Sequence, residues 1–600
     1  MVEALETDPL QLIIRHPSIN KQPGQICRLL CVSKALRAAI AARCNGQMVV
    51  KFAAYDIQHV QHFTPWLEKH GHLLKSLNLN LNLTGKEWLE AESLIASALQ
   101  RAKGGSSLGL QLTTYRSYPA CAGSVLQYLP TYYMRHLELG PRAEYSSTFP
   151  LEGLTRLQSL VLHGDSADVL LPAVAALTQL TQLAIHDITA PTAAAKLKWL
   201  PPQLLSLHMS LSRIRKCEAL PLLQLGHLTR LTELSSSSKP LVLQEGDVLP
   251  ASLVVLRVRD CWATAPLLPL TQLEVLDMSL TTTPAEVLLA VAAGLPQLRE
   301  VSLCYGEMAD AAAAAAGWSA LPIRSLDFRA VEGCVSAATL QQLGKLQDLV
   351  RLDVYGGTGC CRHAGKFEAT PQQFAAVLGQ MTGLQELGLR GFELLPEPEP
   401  TAAAEHGFEF EIQTGLNGLS LEAQAADGRG GAGGNGLNGT CSRSSSSASD
   451  GSSSSSSSGA RARQGLATVM QAIANLPQLN SLTCCAIYSK GCDSLLPIDD
   501  EAAEQLASAT QLTSLVLCDC GLQDSAVNTI AGSLKRLRKL KLDCNPGLTG
   551  EVLPASIAKE LSQLSELCVL RTGIRKHSEG FKARLVSLHP GLTVKSSARG

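Results

Sequence analysis

The sequence is poor in aromatic side chains and carries almost no net charge. Aromatic residues make up 4% of the 600 residues, against 46% for hydrophobic residues as a whole. A core of this composition is filled by many medium-sized aliphatic side chains, which suits a uniform stacked interior. Because the formal net charge is -1, no overall field draws the chain onto nucleic acid or an anionic membrane. We therefore expect neither of these partners.

Signals for export and for membrane insertion are also lacking. The opening residues, MVEALETDPLQLIIRH, place acidic residues and no basic residue ahead of a short apolar stretch, the reverse of a secretory signal. We find no run of about 18 apolar residues. The 18 cysteines do not have the spacing of a disulfide framework. We therefore expect reduced thiols and a cytoplasmic location, with the nucleus or a ciliary axoneme as alternatives.

A repeat with the pattern LxxLxxLxL runs along most of the chain. The third leucine serves as an anchor, and successive anchors lie roughly 20 to 27 residues apart, a period typical of repeat arrays. The clearest anchors are Leu160, Leu183, Leu207, Leu234, Leu256, Leu276, Val301, Leu326 and Leu352. Weaker copies are centred on Leu77, Leu110, Leu137, Leu387, Leu482, Leu515, Leu540 and Leu567, with a doubtful copy at Leu416-Leu419-Leu421. The pattern predicts about 17 to 18 units.

Within each unit the LxL piece alternates with period two, as a short strand with one buried face requires. The following stretch predicts a short helix or a looser return. One unit cannot bury its leucines alone, so stacked units should align parallel strands on a concave wall and helices on the outside.

The pattern resembles the leucine-rich-repeat family over roughly residues 70 to 595. The resemblance implies an α/β solenoid, a horseshoe with parallel strands on the concave face and short helices on the convex face. The family also places Asn or Cys three residues after the last strand leucine, where the side chain satisfies backbone groups of the turn. The matching residues here are Asn82, Cys261, Cys520 and Asn545.

Two segments depart from the repeat. Residues 393–464 are rich in Pro, Gly and Ser and predict a disordered insertion between the repeats of 70–392 and those of 465–595, which include a C-terminal cap. Residues 1–50 predict a small helical module. Within it, ICRLLCVSKALR at 26–37 resembles the closing helix of an F-box, which in that family docks on the Skp-type adaptor of a cullin ubiquitin ligase. The alternative is that residues 1–50 are a degenerate F-box or a purely capping helical module, since a solenoid needs a cap at its end.

The F-box resemblance carries over to specific positions. Its adaptor-binding residues would be Leu10, Leu12, Ile13, Leu29, Val32 and Leu36. The opening half of the module, DPLQLI at 8–13, matches the family weakly.

Short motifs do not support catalysis. Residues 105–109 (GSSLG) match the nucleophile-elbow pattern, but that serine needs a strand before it, and here the predicted strand follows. Residues 428–433 match GxGxxG without the strand and helix that phosphate binding needs. The pairs Cys360-Cys361 with His363, and Cys518 with Cys520, lack a recognised metal spacing. We expect no enzyme, no cofactor and no metal site.

The residues that flank each strand leucine should face outward on the concave wall. In the middle of the array these positions are polar, and we predict a protein-binding surface there. Its residues are Arg257, Arg259, Asp277, Glu300, Asp327, Arg329, Arg351, Asp353, Tyr355 and Arg390. His163 and His186 occupy one column of neighbouring strands, either as plain polar residues or close enough to share a proton or a metal.

These features favour a protein-protein interaction scaffold. With a working F-box it would be the substrate-recognition subunit of a Skp- and cullin-containing ligase. A structural component of a cytoskeletal or ciliary assembly is the main alternative, and a regulator similar to the leucine-rich-repeat activators of Ran is a weaker one. The fold alone does not choose among them.

Overall fold

The computed structural model describes most of the repeat array. The described residues are 48–83, 85–104, 112–118, 123–140, 151–188, 197–211, 222–236, 242–258, 260–261, 263–278, 291, 293–305, 317, 319, 321–330, 334–356, 365–394, 455–485, 488–489, 492–495, 497–549, 553–572 and 578–595. The F-box-like residues and Leu416-Leu419-Leu421 lie outside these ranges.

The described residues form one sheet of 19 strands, all of them parallel. Each strand pairs with the next one along the chain, as stacked repeats require. The strands are β1 (Met48–Ala54), β2 (Leu74–Leu81), β3 (Thr114–Tyr118), β4 (His136–Leu139), β5 (Ser159–His163), β6 (Gln182–Ile188), β7 (Ser206–Leu211), β8 (Glu233–Ser235), β9 (Val255–Arg257), β10 (Val275–Met278), β11 (Glu300–Tyr305), β12 (Ser325–Ala330), β13 (Arg351–Gly356), β14 (Glu386–Arg390), β15 (Ser481–Cys485), β16 (Ser514–Cys518), β17 (Lys539–Lys541), β18 (Glu566–Cys568) and β19 (Thr593–Lys595).

The helices lie between the strands in the chain, and successive helices pack side by side near both ends of the array. They are α1 (Ile57–His70), α2 (Gly85–Gly104), α3 (Gly123–Leu126), α4 (Asp165–Val174), α5 (Ala337–Leu343), α6 (Pro371–Gln380), α7 (Ser455–Ala474), α8 (Asp500–Ala507), α9 (Asp524–Ser533), α10 (Leu553–Glu560) and α11 (Ser578–Leu588). Short 3-10 turns occupy Gly71–Leu73, Leu151–Gly153 and Leu197–Trp199. In the described part of the chain, no helix is long and apolar enough to cross a membrane.

The anchor leucines are in register from strand to strand. Leu160 pairs with Leu183 and Leu183 with Leu207, and the column continues through Leu352, Leu387, Leu482 and Leu567. All of these side chains are buried in one continuous core. The architecture is therefore a leucine-rich-repeat solenoid, which confirms the predicted fold class.

Three units differ from the sequence prediction. The unit assigned to Leu110 is wrong, because Tyr115 is the register partner of both Leu77 and Leu137 and is fully buried in the anchor column. Two further units have the anchors Val50 and Val594, one before the first predicted anchor, Leu77, and one after the last, Leu567, within the predicted C-terminal cap. Neither matches the leucine pattern, as expected for terminal repeats, which differ from internal ones.

Several repeats have a residue with a positive φ at the same place, at or just after the end of the strand. The residue four positions after the anchor has a positive φ at Gly164, Asp187, Gly391, Asp519, Cys544 and Arg571. Glycine adopts this conformation without steric cost, and Asp tolerates it better than most residues do.

One position later, Asn545 fulfils the role that the family resemblance implied. The side chain is fully buried, and its Oδ1 accepts from the backbone N–H groups of Cys520 (2.9 Å) and Leu522 (3.2 Å). Its Nδ2 donates to the carbonyls of Leu517, Leu542 and Asp543 at 2.9–3.1 Å. Asn82 stands at the same position, but its side chain is exposed and therefore does not form a buried network like that of Asn545.

A second, smaller sheet lines the edge at which strands β12 to β15 end. Its five short strands are Cys334–Ser336, Gly365–Glu368, Phe392–Leu394, Tyr488–Ser489 and Cys492–Leu495. A separate pair joins Val242–Leu243 to Asp260–Cys261. These strands widen the wall beside its polar middle.

Regular structure overlaps the predicted segment boundaries. The strand Phe392–Leu394 and helix α7, which begins at Ser455, both enter the range 393–464. Strand β14 pairs directly with β15 across this insertion, so the array continues without a missing unit. At the start, β1 lies ahead of residue 70 and includes the last three residues of the predicted module 1–50.

Candidate functional site

The middle of the wall presents a row of charged side chains on six consecutive strands, β9 to β14. We call the following set the central patch: Arg257, Asp277, Glu300, Asp327, Arg351, Asp353, Tyr355 and Arg390. Register pairs place Arg257 beside Asp277, Asp327 beside Asp353, and Tyr355 beside Arg390. The structure thus brings these predicted residues together on one face. Of the other two, Arg259 lies outside the described residues, and the backbone of Arg329 pairs with that of Tyr355.

Ion pairs fix the arginines of the central patch. Arg390 Nη2 lies 3.3 Å from Asp353 Oδ2, and Arg351 lies 3.9 Å from the same oxygen. Arg351 also reaches Glu386 at 3.7 Å, and Arg257 reaches Glu233 at 2.7 Å. The Asp353 side chain is only 14% exposed, whereas Arg257, Arg351 and Arg390 are 40–53% exposed. The largely buried Asp353 carboxylate therefore lies between two guanidinium groups that remain open to solvent, whereas Glu233 and Glu386 are themselves 38% and 51% exposed.

A glycine makes the Asp353 arrangement sterically feasible. Gly388 is the register partner of Asp353 on β14. A Cβ at residue 388 would lie 2.7 Å from Asp353 Cγ, well inside van der Waals contact. Only a residue without a side chain lets the carboxylate lie across β14 to reach Arg390. Sequence reasoning overlooked Gly388, although it interrupts the outward column of polar residues.

Three histidine rings lie in a row on the wall toward its N-terminal end. The rings of His163 and His186 are 4.4 Å apart and nearly parallel, and His208 follows at 5.1 Å. The His208 Nδ1 contacts Ser235 Oγ at 2.8 Å. Burial lowers the pKa of all three, and His186 lowers the pKa of His163 and His208 further. The predicted shared column of His163 and His186 is confirmed, and the imidazoles are mainly neutral at neutral pH.

The C-terminal end of the wall carries lysines that sequence reasoning missed. Lys539, Lys541 and Lys595 face outward on β17 and β19, with Glu566 between them on β18. Lys595 Nζ donates to Glu566 at 2.7 Å, and this contact holds the pKa of the Glu566 carboxyl below its usual range. The alternation of lysine and leucine in RKLKLD and LTVK could have indicated this basic end.

The other motifs considered in the sequence do not form a reactive site within the described residues. Residues 105–109 and Cys360, Cys361 and His363 lie outside those ranges. Cys520 is buried, and its Sγ donates to the carbonyls of Cys484 and Cys518 in the turn. In the described part of the chain, no group of three or more His, Cys, Asp or Glu side chains is arranged to hold a metal ion.

Comparison with known proteins finds chains of similar fold among the solved structures. No family model matches this sequence, and no curated protein matches it. An internalin from Listeria monocytogenes is 15% identical with a TM-score of 0.36, over 70% of this chain and 94% of the internalin. TLR13, solved in complex with ssRNA13, is 13% identical with a TM-score of 0.30, over 77% of this chain and 65% of its own.

The Toll chain of the Drosophila Toll–Spatzle complex is 12% identical with a TM-score of 0.35. That similarity covers 84% of this chain and 57% of the Toll chain. Identities this low concern the fold alone and carry no information about a ligand of the present protein.

Proposed function

We propose that the protein is an interaction scaffold that binds a protein ligand on its concave wall, through the central patch. The observation that carries the proposal is the set of half-exposed arginines that are each paired with a carboxylate, with Arg351 and Arg390 sharing the largely buried Asp353. Arg and Tyr are frequent interface anchors. Arginines that are already fixed lose less side-chain entropy on binding than free ones do.

The charge of the central patch indicates the kind of ligand. The patch residues Asp277, Glu300 and Asp327 on β10 to β12 are acidic. The arginines lie to either side, with Arg257 on β9 and Arg351 and Arg390 on β13 and β14. A complementary partner therefore presents both signs in a matching order. The wall offers a long surface, because 19 strands at about 4.8 Å spacing extend roughly 85 Å.

A matched pair of charge reversals tests this proposal. Glu300 is exposed on strand β11 of the wall, and Glu504 is exposed on helix α8 of the convex side. We expect immobilised full chain to capture a protein set that E504K retains and E300K loses, because only Glu300 lies in the patch. Identical captures by wild type, E300K and E504K would rule out binding through the central patch.

The more specific form of the proposal is substrate recognition for a cullin ubiquitin ligase. It is supported by the F-box-like residues 26–37, which would link the ligand on the wall to a Skp-type adaptor. The described array begins with β1 at Met48, so removal of residues 1–47 leaves that strand whole. We expect purified adaptor to bind the full chain and not residues 48–600. Equal binding, or none, would remove the ligase role and leave residues 1–47 as a cap.

The alternatives have less support. A structural role in a cytoskeletal or ciliary assembly would also use the wall for binding, and loss of adaptor binding would favour it. A regulator similar to the activators of Ran would need an arginine presented to a nucleotide, whereas Arg257, Arg351 and Arg390 are each engaged by a carboxylate. We place the protein in the cytoplasm because its cysteines are scattered and lack the spacing of a disulfide framework.

A further inference from the structure

Three cysteines come together near the C-terminal end of the wall. Cys485 ends β15, Cys518 ends β16, and Cys544 lies in the turn after β17. Cys518 is the register partner of Cys485, and the nearby Cys485 thiol raises the pKa of the Cys518 thiol. Burial and the nearby Cys518 thiol raise the pKa of the Cys544 thiol. All three side chains are free thiols and partly exposed. The cluster is therefore open to small molecules in solution.

Other cysteines nearby have structural positions. Cys484 is fully buried in the core beside Cys485, and burial raises the pKa of its thiol to about 12. Cys520 occupies the turn, where its Sγ donates to two carbonyls. The alternation of faces along a strand separates these inert thiols from the clustered ones.

The geometry of the cluster suits one particular covalent pair. Cys485 and Cys518 are direct register partners on neighbouring parallel strands, with side chains on the same face. Neighbouring strands lie about 4.8 Å apart, and disulfides join Cα atoms separated by about 4.4 to 6.8 Å. Cys544 has a φ of 59° in the left-handed turn, so its backbone has already left the line of the strand.

We propose that Cys485 and Cys518 form a reversible disulfide between strands β15 and β16, by exchange with a low-molecular-weight disulfide such as oxidised glutathione. The Cys485 thiol loses its proton to solvent, and the thiolate attacks one glutathione sulfur. The glutathione S–S bond breaks, and one glutathione thiolate leaves. The deprotonated Cys518 then attacks the Cys485 sulfur and displaces the second glutathione. Two protein thiols are oxidised, and one glutathione disulfide is reduced to two thiols.

The surroundings of Cys518 explain the order of these steps. Contact with Cys485 and burial both raise the pKa of the Cys518 thiol, so it is a poor first nucleophile. Once Cys485 carries glutathione, an electrophilic sulfur lies next to Cys518. The site borders the central patch, because Cys485 is also the register partner of Arg390. The disulfide does not require that the patch bind a ligand, so the two proposals can fail separately.

The test uses the full chain in buffers with graded ratios of oxidised to reduced glutathione. Free thiols are then blocked with N-ethylmaleimide, and peptides are mapped by mass spectrometry. We expect a Cys485–Cys518 linked peptide, lighter by two hydrogens than the two reduced peptides, which disappears on treatment with dithiothreitol. The link should persist in C544S and be absent from C485S and C518S.

Three results would overturn the proposal. They are a link between Cys518 and Cys544, glutathione adducts without any internal link, and no oxidation at the most oxidising ratio. Because the mapping is done first on the unaltered chain, the conclusion does not depend on the folding of a variant.

Discussion

Replacement of Asn545 by Ala should destabilise the C-terminal repeats selectively. The Asn545 side chain is fully buried and makes five hydrogen bonds to the backbone. N545A leaves the N–H groups of Cys520 and Leu522 buried without this acceptor, at about 1–3 kcal/mol each. We therefore expect the free energy of unfolding to fall by about 2–6 kcal/mol. The matched control is N82A, at the same repeat position but with an exposed side chain, which should change stability by less than about 0.5 kcal/mol.

The loss in N545A should also be local. Each repeat of a solenoid contacts only its neighbours, so destabilisation stays near the altered unit. Urea unfolding followed by circular dichroism gives the change in stability, and amide hydrogen exchange gives its location. We expect faster exchange in β16 to β18 and unchanged exchange in β4 to β8. Equal effects of N545A and N82A, or a uniform increase in exchange, would refute the role assigned to Asn545.

Two further predictions concern the wall. G388A should destabilise the protein by about 1–3 kcal/mol in urea unfolding, because the new Cβ displaces the Asp353 carboxylate. The control is G532A, whose new Cβ would have no atom within 4 Å, so this variant should be neutral or stabilising. Burial lowers the pKa of His163 and His186, so stability should be complete above pH about 6.5 and fall as the pH drops through the folded pKa values. The double variant H163Q/H186Q should flatten this fall in thermal melts, and an equally steep fall would contradict the assignment.

The repeat could be predicted from the sequence because one physical requirement recurs in every unit. Each anchor must be buried against the next, so the spacing alone placed Leu160, Leu276 and Leu352 in a single column. The prediction was wrong at Leu110 because a tyrosine, Tyr115, takes the anchor position there. A large aromatic side chain interrupts the leucine pattern, although it fills the same place in the core.

The columns of the central patch were also predictable, since side chains on a strand alternate between two faces. Which of those side chains contact each other was not. The contact between Asp353 and Arg390 depends on the register of two strands and on the missing side chain at Gly388. Such a contact is decided by neighbours in space that the local pattern does not specify.

The thiol cluster shows the same division more clearly. The sequence by itself determined that Cys485 and Cys518 end strands with outward-facing side chains. It did not place Cys518 beside Cys544, because that contact depends on the left-handed turn after β17. The sequence also did not place Cys485 beside Arg390, because the insertion at 393–464 separates these two residues in the chain. Period and burial determined the sheet and its two faces, whereas stacking across long stretches of chain decided which side chains meet on the wall.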